Sequence, residues 1–382
     1  LGHSVDVFVG PPYPDPMPFA QSVTGLPNQQ FWAGWFAKQR SKMLPREQPL
    51  RVFEPLNFYE LAASKFGFLP EPFAFSVRSL REVATRLRLG IRYDLVHDVQ
   101  CLGWGDLGLM ALGLPVVTTI HHPLTVDRRF SFVRDESFRD AVGTMAFYPV
   151  GMQSFVARRV DCLFTSSRES AKTIRRDFGI DPARLRMVAN GVDTELFSPD
   201  PNASRNPKEL LCVGRASDPN KGLVDLIDAL PHLPDDVFLT LVDDDHPDNV
   251  ARKRAQELGL GDRLRLVGRV DIETLVALYR RAGIVVVPSR YEGFGLPAAE
   301  AMACGAPVVA ASAGALPEVV TTGGGGVLTA LRDPEDLARG IRSLLDAPER
   351  RAELGVLGRR GVEAAYAWPR VARATADAYA EV

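Results

Sequence analysis

A regular alternation of two residue patterns dominates the back half of this chain. From about Lys208 onward, short β-rich runs fall at Leu210–Gly214, Val237–Val242, Leu264–Val267, Ile284–Pro288 and Pro307–Ala310. Between them lie helical patterns at Lys221–Leu230, Asn249–Leu258, Asp271–Arg281 and Leu296–Cys304. Strands separated by helix-length segments are the signature of βαβ units and a parallel sheet. The pattern predicts one Rossmann-like α/β domain with its ligand crevice at the carboxyl ends of the strands.

The front half repeats this less regularly, with strands predicted at Val5–Val9, Leu95–Asp98, Val116–Ile120, Cys162–Thr165 and Leu185–Val188, and a helix at Ser167–Phe178. Residues Pro11 to Leu80 are rich in proline and aromatics and read as a long functional insertion with short helices. The ten residues Ser198–Pro207 are loaded with turn formers and make the best linker. The expected organisation is therefore a first Rossmann-like domain over 1–195, a linker over 196–207, a second Rossmann-like domain over 208–366, and a terminal helix over 367–382. Two such domains would face a central cleft, and the terminal helix would cross back onto the first.

Composition narrows the function classes. Of 382 residues, 46% are hydrophobic and 24% charged, which excludes a disordered or fibrous chain. The net charge of −2 argues against a nucleic-acid binder. Through Gly191 there are 23 Lys and Arg against 18 Asp and Glu, and beyond it 22 against 29, so a basic half meets an acidic one and different partners are expected for each. The most apolar stretch, Leu107–Ile120, is broken by Gly108, Gly113 and Pro115 and is too short for a bilayer span. Cys101, Cys162, Cys212 and Cys304 are far apart in apolar runs, as expected of buried reduced thiols in a cytoplasmic protein. The chain opens almost directly on the strand Val5–Val9, which reads as the middle of a fold.

The segment richest in chemistry is Pro288–Gly305. A strand ends at Pro288, a glycine-bearing loop follows, and Pro297 sits in the first turn of a new helix, where its missing N–H costs nothing. Amides from Gly293 through Phe294 and Gly295 to Leu296 would point out of that helix N-terminus, suiting a phosphate or a sugar hydroxyl. Glu292 and Glu300 flank them, and a carboxylate can accept two hydroxyls of a sugar or ribose.

These residues resemble the E-x7-E signature of glycosyltransferase family 4, retaining enzymes of the GT-B fold that use nucleotide-diphosphate sugars. Further likenesses appear in order along the chain. Thr118-Thr119-Ile120-His121 resembles the strand whose terminal histidine faces the donor sugar. Asn190-Gly191-Val192-Asp193 resembles the turn leading into the interdomain linker. Gly214-Arg215 with Asn220-Lys221-Gly222 resembles the diphosphate-binding element, Val267-Gly268-Arg269-Val270 the nucleobase loop, and Trp368 with its helix the return helix. The resemblance covers nearly the whole chain, residues 11–90 only loosely.

The resemblance implies roles. Arg215 and Lys221 would hold the diphosphate, Gly268, Arg269 and Val270 the base, Glu300 the ribose and Glu292 the sugar. His121 would contact the sugar from the other domain, with His122 its competitor. The nucleotide sugar would be the donor substrate, with no cofactor, and anomeric configuration would be retained by front-face attack without a covalent intermediate. Family members carry a strand, a glycine-rich loop and a helix before the strand that Val5–Val9 resembles. A chain extended at its start is accordingly expected to be more stable and more active.

Other readings stay open. Asp243-Asp244-Asp245 fits a D-x-D metal-binding pattern, but its place after a strand reads better as a capping turn before the helix at Asn249, with no required metal. The run Gly323–Gly326 reads as a turn before a short strand. A sugar phosphorylase would need a lysine for pyridoxal phosphate that no segment marks. A GT-B sugar-nucleotide epimerase and a catalytically impaired nucleotide-sugar-binding protein are the alternatives. The acceptor, whether glycan, lipid or small molecule, is not legible. Phe73–Arg88 is a basic amphipathic pattern whose apolar positions Phe73, Val77, Leu80, Ala84 and Leu87 fit either a helix packed on its sheet or peripheral contact with an anionic inner membrane.

Overall fold

The run Ala282–Val287 is apolar without interruption and buried at every position, so both of its faces must be covered. In the computed structural model it is an inner strand of a six-stranded parallel sheet with helices on both faces. The structure describes residues 1–28, 49–66, 68–121, 123–126, 128–129 and 149–382. By internal contacts the chain divides into two units. The first comprises 1–165, 171–187 and 378–382, and the second 166–170 and 188–377.

The second unit carries strands β7 (Asn206–Val213), β8 (Phe238–Val242), β9 (Leu264–Leu266), β10 (Ala282–Val287), β11 (Val308–Ala311) and β12 (Gly326–Thr329). They lie in the order β12-β11-β10-β7-β8-β9, all parallel. The chain winds outward from β7 on one side and from β10 on the other, so the order reverses between these two neighbours. That switch point opens a crevice at the carboxyl edge, where the connections diverge to opposite faces. The strand β7 begins at Asn206, inside the stretch expected to be linker. The glycine run does end in a short strand, Gly326–Thr329.

One face of this sheet is covered by the helix Leu296–Ala303, whose Ala298, Ala299, Ala301 and Ala303 are fully buried. Small side chains there let the helix lie close to β10 and keep the loop between them short. The opposite face is filled by Leu210, Leu226, Ile227, Leu239, Ile284 and Ile341. At roughly 1.5–3 kcal/mol for each large apolar side chain fully buried, these two layers dominate the unit's stability.

The first unit has a four-stranded parallel sheet, β3 (Val96–Val99), β4 (Val116–Thr119), β5 (Cys162–Thr165) and β6 (Leu185–Met187), in that order. A separate parallel pair joins β1 (Asp6–Val9) to β2 (Ser22–Gly25). The stretch Pro11–Leu80, read as an insertion with short helices, also holds the strand β2, while the helix Pro55–Lys65 and the start of Glu71–Arg88 fall there. Helix Glu71–Arg88 buries Ala74, Ser76 and Val83, and two of its arginines are spent inside the unit. Arg78 forks onto Glu60 at 2.6 and 2.9 Å, and Arg86 reaches Asp6 at 3.0 Å and Glu82 at 2.9 Å.

The last residues, Ala378–Val382, group with the first unit. There Tyr379 stacks on Phe164 with centroids 5.7 Å apart and hydrogen-bonds His97 Nδ1 at 2.5 Å. All four cysteines are free thiols, and burial pushes Cys212 and Cys304 up to about 12. No helix among the described residues is long and apolar enough to cross a membrane.

Candidate active site

At the switch point of the second unit, the loops after β7 and β10 meet at an ion pair. Lys221 Nζ lies 2.8 Å from Glu292 Oε1, and the Ser289 hydroxyl donates to the same oxygen at 2.8 Å. The other carboxylate oxygen of Glu292 has no partner among the described residues. The pair is held from both sides. Asp218 accepts from Asn220 N at 3.0 Å and so caps the short turn Pro219–Lys221. Arg290 locks that turn to the β10 loop, donating its backbone N–H to Asn220 O at 2.6 Å and its guanidinium to Asp225 at 2.8 and 3.0 Å.

Backbone crowding fixes the glycines. Gly222 adopts φ 62° and lies so close to Pro288 that a Cβ would come within 2.1 Å of its carbonyl oxygen. Gly314, at φ 55°, presses on the Glu292 backbone, where a Cβ would meet the carbonyl oxygen at 2.4 Å. Both approaches need the left-handed backbone and the missing side chain that glycine alone supplies at little cost. Glu292 O accepts from Ala315 N at 2.9 Å, which completes the loop's anchorage.

Glu300 lies one turn into the helix Leu296–Ala303. Burial raises its pKa above the usual carboxylate range, partly offset by the Tyr279 hydroxyl, which donates to Oε2 at 3.0 Å. The second oxygen has no partner among the described residues. Ahead of it, the N–H groups of Gly293, Phe294, Gly295 and Leu296 donate no hydrogen bond among the described residues, as expected at a helix N-terminus. The Phe294 ring is not part of that surface: it is buried edge-on against Tyr366, with centroids 5.1 Å apart. Only its backbone can serve a ligand.

Arg215 follows β7 as an exposed cation without an ion pair among the described residues. Its field helps to lower the pKa of Asp244, chiefly set by a hydrogen bond from Arg269. Arg269 forks onto Asp244 at 2.6 and 3.0 Å, so its guanidinium is already engaged. Gly268 takes φ 72°, and Val270 packs on the core. Asp243 accepts from Ala216 N and from Asn249 Nδ2, both at 2.8 Å, while Asn249 caps the helix Val250–Glu257. Asp245 pairs with Arg252. Each carboxylate of the acidic triplet thus has a local partner, and no three acidic, histidine or cysteine residues among the described ones are grouped to hold a metal.

Sequence reasoning missed a further contact. Ser166, Ser167 and Ser170 direct their hydroxyls at Gly293 O, at 3.2, 2.7 and 3.1 Å. They fix the peptide whose N–H groups lead into the helix, and the only sequence signal is a serine-rich turn after a buried strand. In the first unit, His121 follows β4, and its backbone N–H donates to Gln100 Oε1 at 3.0 Å. His122 lies outside the described residues. The Asn190–Asp193 turn bonds through Val192 N to Tyr366 O at 2.8 Å.

Residues 193–360 match the family described as glycosyl transferases group 1, and residues 1–196 match Glycosyltransferase Family 4. The chain is 36% identical over 382 residues to the MMP α-(1→4)-mannosyltransferase of Mycolicibacterium hassiacum, covering 99% of this chain and 90% of that protein. The chain belongs to glycosyltransferase family 4. Within that family it is also 34% identical over 313 residues to the D-inositol 3-phosphate glycosyltransferase 2 of Catenulispora acidiphila, covering 75% of this chain and 70% of that one. Among solved structures, sucrose-phosphate synthase from Thermosynechococcus elongatus aligns over 100% of this chain and 89% of its own, with a TM-score of 0.68 and 25% identity. Anabaena HepE, solved with UDP-glucose, aligns over 78% of this chain and 82% of its own, with a TM-score of 0.64 and 23% identity. These likenesses place the family 4 chain in the GT-B class of glycosyltransferases.

Proposed function

We propose that this chain is a retaining hexosyltransferase that moves mannose from a nucleoside-diphosphate sugar to a hydroxyl of a carbohydrate-bearing acceptor. The observation that carries the reading is the switch-point cluster of Lys221, Glu292 and Glu300 beside a row of undonated amides. The α linkage in the name of the Mycolicibacterium relative supports the sugar and the stereochemistry, because an α product from an α-linked donor corresponds to retention.

In this reading Lys221 Nζ, now on Glu292, turns to share its charge with the diphosphate, and the unpaired Arg215 adds a planar fork. The amides of Gly293 to Leu296 complete the cradle. Glu300 accepts the two ribose hydroxyls on its unpartnered oxygen and the one shared with Tyr279. Glu292, freed in part from Lys221, accepts from hydroxyls of the sugar. Arg269, held flat by Asp244, lies with Gly268 and Val270 along the base. No residue here needs to form a bond to the sugar. Catalysis rests on stabilising the negative charge that builds on the departing diphosphate and on positioning the acceptor hydroxyl on the same face.

Removing one such contact typically costs 10²–10³ in rate. Lys221→Ala and Glu300→Ala should each lower nucleotide-sugar turnover by about that factor, with the far-UV spectrum and melting temperature close to wild type. Retained turnover in both variants sinks the site assignment. Proton NMR of the product's anomeric signal decides retention: an α product from an α-linked donor supports it, and a β product rejects it.

A further inference from the structure

The carboxyl edge of the second unit's sheet is accounted for by the donor. The amino edge carries a different feature. A cavity of about 640 Å³ opens there, next to the starts of β7, β10 and β11. Its walls are the stretch from Pro199 to Arg205, the turn Gly305–Pro307, and one face of the helix Pro348–Tyr366. Five arginines line it, namely Arg205, Arg280, Arg351, Arg359 and Arg360, against two carboxylates, Asp200 and Glu363. The lining is therefore positive by three charges, in a unit whose sequence is acidic overall.

The arginines divide into two kinds. Arg205 donates to the carbonyls of Tyr279 and Ala282, both at 2.9 Å, and of Cys304 at 2.6 Å. Arg280 donates to Ser198 O at 2.6 Å and Ser198 Oγ at 3.1 Å. These two are fixed in place by neutral acceptors, so their charge stays uncompensated. Arg359 is held by Phe197 O and Ala303 O and is neutralised by Glu363 at 2.5 Å. The second kind is uncommitted. Arg351 has a buried terminal nitrogen with no hydrogen-bond partner, and Arg360 is exposed with no ion pair among the described residues. A buried guanidinium nitrogen left unbonded is costly, and a fold does not gather uncompensated cations around a recess unless something offsets them.

We propose that this recess binds the phosphate group of a small phosphomonoester, at a site separate from the donor's. A phosphate dianion fits the charge excess, and its oxygens match the forked donors of Arg351 and Arg360 better than a single carboxylate does. The volume falls within the range of metabolite pockets, which favours a small ester over a polymer lying on the surface. The ligand's position at the amino edge leaves the carboxyl edge open, so donor and phosphomonoester can bind together.

Titration calorimetry with ribose 5-phosphate tests this, with ribose as the control. The full-length wild type and Lys221→Ala should bind the ester with affinities within about threefold of each other. Arg351→Gln/Arg360→Gln should bind at least tenfold more weakly, and ribose should not bind. Should the double variant melt lower than wild type, Arg360→Glu, at an exposed position, must itself weaken binding at least threefold. Loss of binding in Lys221→Ala with retention in the arginine variants would place the ester in the donor site and overturn the proposal. No detectable binding by wild type at millimolar ester, or equal binding of ribose, overturns it as well.

Discussion

At the residue scale, burial and one hydrogen bond set the charge of Glu300, the carboxylate to which the proposed function assigns the ribose. Burial disfavours its charge, and the Tyr279 hydroxyl partly restores it. The ionised form is the one that can accept two hydroxyls. Because the folded pKa is raised, donor affinity should begin to fall on acidification at a higher pH than an ordinary glutamate would give. Tyr279→Phe removes the compensating hydroxyl, so the fall should move to still higher pH and donor affinity near neutrality should drop several-fold. Donor dissociation constants measured across pH 5–8 for both proteins check this. A pH profile that does not move in Tyr279→Phe contradicts the assigned role of that hydrogen bond.

Elements position these residues, and two of them carry separable predictions. Gly222 joins the Pro219–Lys221 turn to the helix Leu223–Ala229 while its backbone touches Pro288. Gly222→Ala forces a side chain into a left-handed position and against a carbonyl, at a cost of about 1–3 kcal/mol. It should also displace Lys221 from Glu292, so denaturant midpoint and donor affinity should fall together. In the first unit, β3 carries His97, whose ring lies between Thr119 Oγ1 at 2.7 Å and the Tyr379 hydroxyl. Burial first, and the field of His121 second, lower its pKa from 6.5 to about 4. The folded chain thus favours the neutral ring, and the unfolded chain takes up the proton first as pH falls below about 6.5. This contribution is full above pH 6.5 and is lost towards pH 4, amounting to about 3 kcal/mol. Urea unfolding from pH 7 to 4 should show the loss, and His97→Gln should flatten it.

The parallel strands of both units were legible because Val, Ile and Leu runs such as Ile284–Val287 admit few alternatives. Strand β2 was not, since Ser22–Gly25 is four residues long among prolines and gains its place only by pairing with β1. Lys221 and Glu292 stand out in the sequence through local motifs, and the structure pairs them. Their clasp was not legible: Arg290 to Asp225 spans 65 residues and Ser170 to Gly293 spans 123, and no local pattern encodes such distances.

On the scale of the whole molecule, the basic front half and acidic back half divide between two units with separate cores. The donor of the proposed function, a nucleoside-diphosphate sugar, is an anion, so on that proposal its capture by the acidic half would depend on the few cations at the switch point rather than on overall charge. The most direct measurement is therefore a thermal-shift series on wild type and Lys221→Ala with UDP, GDP and ADP and their mannose and glucose conjugates. At 100-fold over Kd a bound ligand adds about 2.7 kcal/mol, enough to raise the melt by several degrees. A shift of wild type by one nucleotide family, lost in Lys221→Ala, is the result expected. No shift with any conjugate, or an equal shift in Lys221→Ala, contradicts a donor site at the switch point of the second sheet.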